Sequence, residues 1–167
     1  MSSRKVRKLN RNVYNDRGWL GIAIWHGKIT TNVGMLMRAA YNFDAAFIAL
    51  IGGRYTQQPT DTCKMYRHIP LLQPSDDSFW SLCPYNCPFI AVEIVDQALP
   101  LETFQHPQRA IYILGGEDQT LPPSVLDRCH YVLRINTQYC MNVAIAGSTI
   151  MYDRHVKNVW KKKKFDA

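Results

Sequence analysis

Trp19-Leu-Gly-Ile-Ala-Ile-Trp25, Asn32-Val-Gly-Met-Leu-Met-Arg-Ala-Ala-Tyr-Asn-Phe43 and Ala45-Ala-Phe-Ile-Ala-Leu-Ile51 follow one another closely and decide the fold class. The first and third segments are apolar almost without interruption, as strands covered on both faces are, whereas the second spaces its apolar residues at helical intervals. Strand, helix and strand in that order predict a crossover unit of a parallel sheet. The alternation continues with a short helix near 60–66, a strand near 67–72, a helix near 75–82 and a strand at Phe89-Ile-Ala-Val-Glu-Ile-Val95. Arg109-Ala-Ile-Tyr-Ile-Leu114 and Tyr131-Val-Leu-Arg-Ile135 bring the expected strands to six, and a last helix runs from about Asn142 to Lys157. The stretches 83–88 and 96–108, marked by proline, read as irregular. The fold class is therefore α/β, a mostly parallel sheet flanked by helices.

The 167 residues, 47% hydrophobic and 20% charged, suffice for one domain with its own core. No apolar run approaches the roughly 20 residues of a membrane-spanning helix, and the charged N-terminus lacks the apolar segment of a signal peptide. Five scattered cysteines do not make a disulfide framework, so a reducing, cytoplasmic setting is expected. Residues 1–17 hold six Lys/Arg against one Asp, and residues 154–167 hold six against one Asp. Each end is thus +5, and of the chain's +7 the middle is left with −3. Basic ends on a near-neutral domain suit a phosphate backbone, where counterion release favours association. The expected organisation is a basic arm at 1–17, a domain at 18–156 and a basic tail at 157–167.

Ligands of open α/β sheets lie outside the carboxyl ends of the strands, which directs attention to three turns. The first leads into Asn32-x-Gly34-x-x-x-Arg38, with Asn32 and Gly34 at a helix start, where free backbone amides and a guanidinium could meet a phosphate. An Asn cap with an Arg on a solvated face explains that pattern equally well. The second is Leu114-Gly115-Gly116-Glu117-Asp118-Gln119, whose paired glycines allow close approach to backbone. The third reaches Cys140-Met141-Asn142 after Ile135. The G-x-G-x-x-G and P-loop patterns are both missing. Cys83-x-x-x-Cys87 lacks the second ligand pair of a zinc site, so no metal is expected, and His68 and His130 flank strands in structural roles. Small residues Ala144, Gly147 and Ser148 in the last helix permit a close approach by another helix, a ligand or a crossing chain.

Taken in order, Asn32-x-Gly34-x-x-x-Arg38, Gly115-Gly116-Glu117-Asp118-Gln119-Thr120-Leu121-Pro122 and Cys140-Met141-Asn142-Val143-Ala144-Ile145-Ala146 resemble the three motifs of the SpoU (TrmH-like) branch of the SPOUT RNA methyltransferases, over roughly 18–156. The resemblance implies a carboxyl-terminal deep trefoil knot that forms an S-adenosylmethionine site, a homodimer with its active site near the subunit interface, and methyl transfer to a ribose 2′-hydroxyl of tRNA or rRNA. A small substrate such as tRNA suits the short chain. By position it assigns Arg38, Asn32, Glu117 and Asn142 to catalysis, and Leu114, Gly115, Gly116, Ile135, Cys140 and Met141 to the cofactor. Two positions depart from the pattern: Thr120 stands for the usual Gly and Cys140 for the usual Ser. A β-branched residue suits that turn only at negative φ. The alternative these departures raise is an inactive RNA-binding protein of the same fold. A guanidinium is too weak an acid to serve as a base at neutral pH. Arg38 is accordingly expected to bind a phosphate and steady alkoxide charge, with phosphate or solvent taking the proton and Glu117 orienting Arg38.

Overall fold

The computed structural model describes residues 18–58, 61, 63–116 and 120–160; most of both basic ends, and Glu117, lie outside the described residues. Seven strands form one sheet: β1 (Trp19–Trp25), β2 (Phe47–Ile51), β3 (Leu71–Leu72), β4 (Phe89–Val92), β5 (Leu99–Pro100), β6 (Arg109–Gly115) and β7 (Tyr131–Arg134). Their spatial order is β3-β2-β1-β6-β4-β7-β5, and every pairing is parallel. The four helices are α1 (Thr30–Asn42), α2 (Asp76–Ser81), α3 (Pro123–Leu126) and α4 (Val143–Arg154), the last continuing into a π-helical turn at His155–Trp160.

The apolar runs sort onto the two faces of the sheet. Ile22, Ile24, Ile48, Ile90, Tyr112 and Leu114 pack under α1 and α4, with Leu36, Met37, Val143 and Ile150. Ala23, Ala49, Ala91, Ile111 and Ile113 face the thinner layer built on Phe79 and Val125. The small-residue stretch in α4 serves the first layer: a Cβ on Gly147 would lie 2.5 Å from Leu36 Cδ1 and 2.9 Å from Leu114 Cδ1. Helix packing is thus one reason for a glycine there.

Four expectations need correction. A seventh strand, β5, lies in the stretch read as irregular, at the sheet edge, where the missing amide of Pro100 is tolerated. The strand expected over 67–72 shrinks to Leu71–Leu72, because Asp61 Oδ1 accepts from Met65 N (3.1 Å) beside a 3-10 turn at Met65–Arg67. β4 stops at Val92, and Glu93 Oε1 accepts from Ile94 N at 2.8 Å, a local bond that competes with the ladder. α1 begins at Thr30 with Ile29 in the cap position, so Asn32 is not its cap.

A polar clasp ties the end of α4 to the segment before β6. His106 is 7% exposed; its Nε2 is 2.7 Å from Asp153 Oδ2 and its Nδ1 2.7 Å from Tyr112 Oη. Lys157 Nζ meets Asp153 Oδ2 at 2.7 Å and donates to Leu101 O at 2.6 Å, while Arg154 donates to Gln108 O at 2.7 Å. The neutral imidazole satisfies both neighbours, donating from Nε2 to the carboxylate and accepting from the tyrosine hydroxyl. Burial, outweighing the opposite pull of Asp153, lowers the His106 pKa from its ordinary 6.5. The unfolded chain therefore takes up this proton first as pH falls, so the contribution is held above about 6.5 and lost below it. Thermal unfolding of the wild type should weaken from pH 7 to pH 5 more steeply than that of His106→Gln; parallel profiles would refute this.

Candidate active site

The second and third motif turns converge at the carboxyl ends of β4, β6 and β7, the position that sheet geometry favours for a ligand. A cavity of about 420 Å³ opens there, within the range of small-molecule sites, about 300–1,000 Å³. Of the residues singled out in the sequence, Leu114, Gly115, Gly116, Ile135, Cys140, Met141 and Asn142 all line it, together with Thr120. Leu114, Met141, Val143 and Ala146 give it apolar walls.

Close approach of backbone shapes one wall. A Cβ on Gly116 would lie 2.6 Å from His26 O and 2.8 Å from Trp25 O, so β6 can pass the end of β1 only with glycine at this position. Thr120 is exposed in the wall, and among the described residues the non-glycine positive-φ positions are His26, Asp44, Lys64 and Asn86. Thr120 is not one of them, so the β-branched residue sits where its side chain is tolerated.

Asn142 fastens the third motif to the first. Its Oδ1 accepts from Ala144 N at 2.9 Å and from Ile145 N at 3.4 Å, which caps α4. Its Nδ2 donates to Asn32 Oδ1 at 3.0 Å, joining residues 110 positions apart. Asn32 is buried, 5% exposed, and does not line the cavity. Arg38 is exposed on α1 and is also absent from the cavity wall. The structure therefore gathers Asn32 and Asn142, sets Arg38 on the outer surface and leaves Glu117 outside the described residues.

Three polar lining residues escaped the sequence reading: Glu93, Arg134 and Thr137. Glu93 and Arg134 follow from the strand-end rule had it been applied to β4 and β7 without asking for glycine. Arg134 carries a buried Nε with no hydrogen-bond partner.

The other candidates have structural parts. His130 Nδ1 accepts from Phe89 N at 3.2 Å at the start of β4. Cys83 Sγ donates to Cys87 O at 3.1 Å, and burial pushes the Cys87 and Cys129 thiols up to about 12, which keeps them protonated. Among the described residues no three His, Cys, Asp or Glu side chains gather as a metal site, and no helix is long and apolar enough to cross a membrane.

The fold is similar to several solved structures. The A. aeolicus TrmH/SpoU tRNA modifying enzyme superposes with a TM-score of 0.76 at 12% identity, over 86% of this chain and 77% of that one. An AdoMet-bound rRNA methyltransferase from Sinorhizobium meliloti gives 0.72 at 19% identity, over 87% of this chain; the chain spans 59% of that protein. A structure described as giving insights into the 2-OH methylation of C/U34 on tRNA gives 0.74 at 19% identity, over 84% and 97% of the two chains. No curated protein matches in sequence. Residues 20–152, most of the chain and all three motifs, match the SpoU rRNA Methylase family, to which this protein therefore belongs.

Proposed function

We propose that the protein is an S-adenosylmethionine-dependent RNA methyltransferase that acts on a ribose 2′-hydroxyl of tRNA or rRNA, with tRNA favoured. One observation carries the reading: a single cavity collects Leu114, Gly115, Gly116, Ile135, Cys140, Met141 and Asn142 from two separate turns. The cofactor fits the donor set there. Apolar walls suit an adenine ring, Gly116 brings backbone groups to the edge of the site, and the unpartnered Arg134 guanidinium nitrogen marks a wall with donor capacity to spare. Leu114, Gly115, Gly116, Ile135, Cys140 and Met141 would hold it, and when bound it supplies an activated methyl group.

The protein's own task is then alignment. Asn142 and Asn32 hold the start of α4 against α1, so that the cavity floor and the Arg38 helix keep one spacing. Arg38 binds the phosphate beside the reacting ribose and steadies charge on its oxygen, Glu117 orients that guanidinium, and phosphate or solvent accepts the proton. This work falls at the interface of a homodimer. The support is the outer face of the α1–α4 pair, where Met35 (52%), Ile145 (50%) and Tyr152 (60%) are exposed close to Arg38 in sequence or on the packed helix. The carboxyl-terminal knot belongs to the same reading. β7 lies between β4 and β5, and the chain beyond it returns over β6 and α1 to bond the β5–β6 connection. The basic segments 1–17 and 157–167 flank the domain 18–156 and would hold structured RNA from a cytoplasmic pool.

Calorimetric titration with S-adenosylmethionine and S-adenosylhomocysteine, followed by transfer of labelled methyl to tRNA and rRNA, tests the proposal. Binding, with label that protects the adjacent linkage from alkali, is the expected result. Absence of both would leave an RNA-binding protein that has lost activity. A thiol experiment checks the location of the site: Cys63 and Cys140 are exposed, and only Cys140 lines the cavity. Saturating S-adenosylhomocysteine should slow alkylation of Cys140 at least ~10-fold and leave Cys63 unchanged; equal rates would place the ligand elsewhere.

A further inference from the structure

Glu93 is the one carboxylate in the cavity wall among the described residues, and it is held rigidly. Its backbone amide still donates to Leu133 O at 2.9 Å, which fixes it beside β7 one residue past the end of β4. Its Oε1 accepts from Ile94 N at 2.8 Å, and its Oε2 accepts from Leu121 N at 2.7 Å. The second bond reaches from the end of β4 to Leu121, so Glu93 also holds the Leu121 backbone of the second motif.

A carboxylate offers about four lone-pair positions, and these two amides occupy two of them. The remaining two belong to a group whose orientation is already paid for by the backbone and which faces a nucleoside-sized space. Around it stand Gly115, Gly116 and Ile135, which leave room for backbone contact and an apolar surface for a base. Two acceptors fixed at a strand end match a pair of vicinal hydroxyls, the same chemistry by which an acidic side chain at a strand end reads a ribose in dinucleotide folds.

We propose that Glu93 binds the ribose diol of the nucleoside cofactor and thereby couples cofactor occupancy to the position of Leu121. The inference rests on the cofactor reading above. Glu93 is a binding and positioning residue that makes the site selective for a ribonucleoside over its deoxy counterpart.

Calorimetry on the full-length protein with S-adenosylhomocysteine and its 2′-deoxyribose analogue separates the possibilities. The wild type should prefer the ribose form by about 10- to 100-fold, the range of a hydrogen bond to a charged group. In Glu93→Ala the preference should fall to within about 2-fold. Glu93→Gln keeps an acceptor for one of the two backbone amides, so it should melt above Glu93→Ala while reducing the preference to a few-fold, which guards against a folding defect in the alanine variant. A preference that stays at the wild-type level in folded Glu93→Ala or Glu93→Gln, or a wild type indifferent to the 2′-hydroxyl, overturns the proposal. A wild type that takes up neither nucleoside overturns the cofactor reading itself, and this inference with it.

Discussion

Asn142→Ala should lower stability by about 1–3.5 kcal/mol, a large effect for a side chain exposed on the surface of the cavity mouth. Two independent losses combine. The first is the cap: the amides of Ala144 and Ile145 lose their acceptor at the start of α4, which costs about 0.5–2 kcal/mol. The second is the bond from Asn142 to Asn32, a 5% exposed residue; a hydrogen bond of this kind contributes about 0.5–1.5 kcal/mol. The two backbone donors fix which end of the Asn142 amide is oxygen, so the direction of the inter-motif bond is settled by geometry. Asn142→Asp separates the terms, since it keeps the cap and turns the donor toward Asn32 into a second acceptor. In thermal unfolding the alanine variant should melt about 3–14 °C lower and the aspartate variant should fall between it and the wild type. A shift below about 2 °C for alanine would mean that the two helices are held together by packing alone.

That bond also marks the limit of what was readable before the fold was known. β1, β2, β4 and β6 were legible because a strand buried on both faces leaves a continuous apolar run, while β7, half-exposed with only Leu133 buried, showed through its Tyr131-Val-Leu133 stretch alone. β3 and β5 have two residues each at the edges, too few to carry a period, and α3 is a single turn started by Pro123. In the site, the glycine turn after β6 and the residues after β7 singled out in the sequence line one cavity. Glu93 and Arg134 did not stand out because a charged residue ending an apolar strand has an ordinary explanation as a solvated edge. The separation of Asn32 from Arg38 was readable in principle: six residues turn an α-helix by about 600°, so the two side chains lie about 120° apart and cannot both face one wall. The contact across 110 residues has no local signal at all, and only the joint resemblance of the motifs linked Asn32 with Asn142.

Arg38→Lys should reduce turnover by about 100-fold or more while changing S-adenosylhomocysteine affinity by less than about 2-fold. The placement of the residue separates the two quantities. Arg38 is exposed and outside the cavity, and its backbone carbonyl accepts from Asn42 Nδ2 at 2.9 Å. Substitution there removes no wall of the cavity and no cap, so the melting temperature should stay within about 2 °C. What changes is the shape of the cation. A guanidinium presents a planar fork that can hold a phosphate and a neighbouring oxygen together, whereas an ammonium is a hydrated point charge on a flexible stem. Removing a group that steadies oxyanion charge typically costs about 10²–10³ in rate, so Arg38→Ala should fall to the lower end of activity and Arg38→Lys should recover little of it. Salt dependence of RNA binding distinguishes this from loss of a simple attraction, because lysine preserves the charge and with it the counterion term. Near-normal turnover in Arg38→Lys would show that charge alone suffices, and the proton and the alkoxide would then have to be managed by groups inside the cavity.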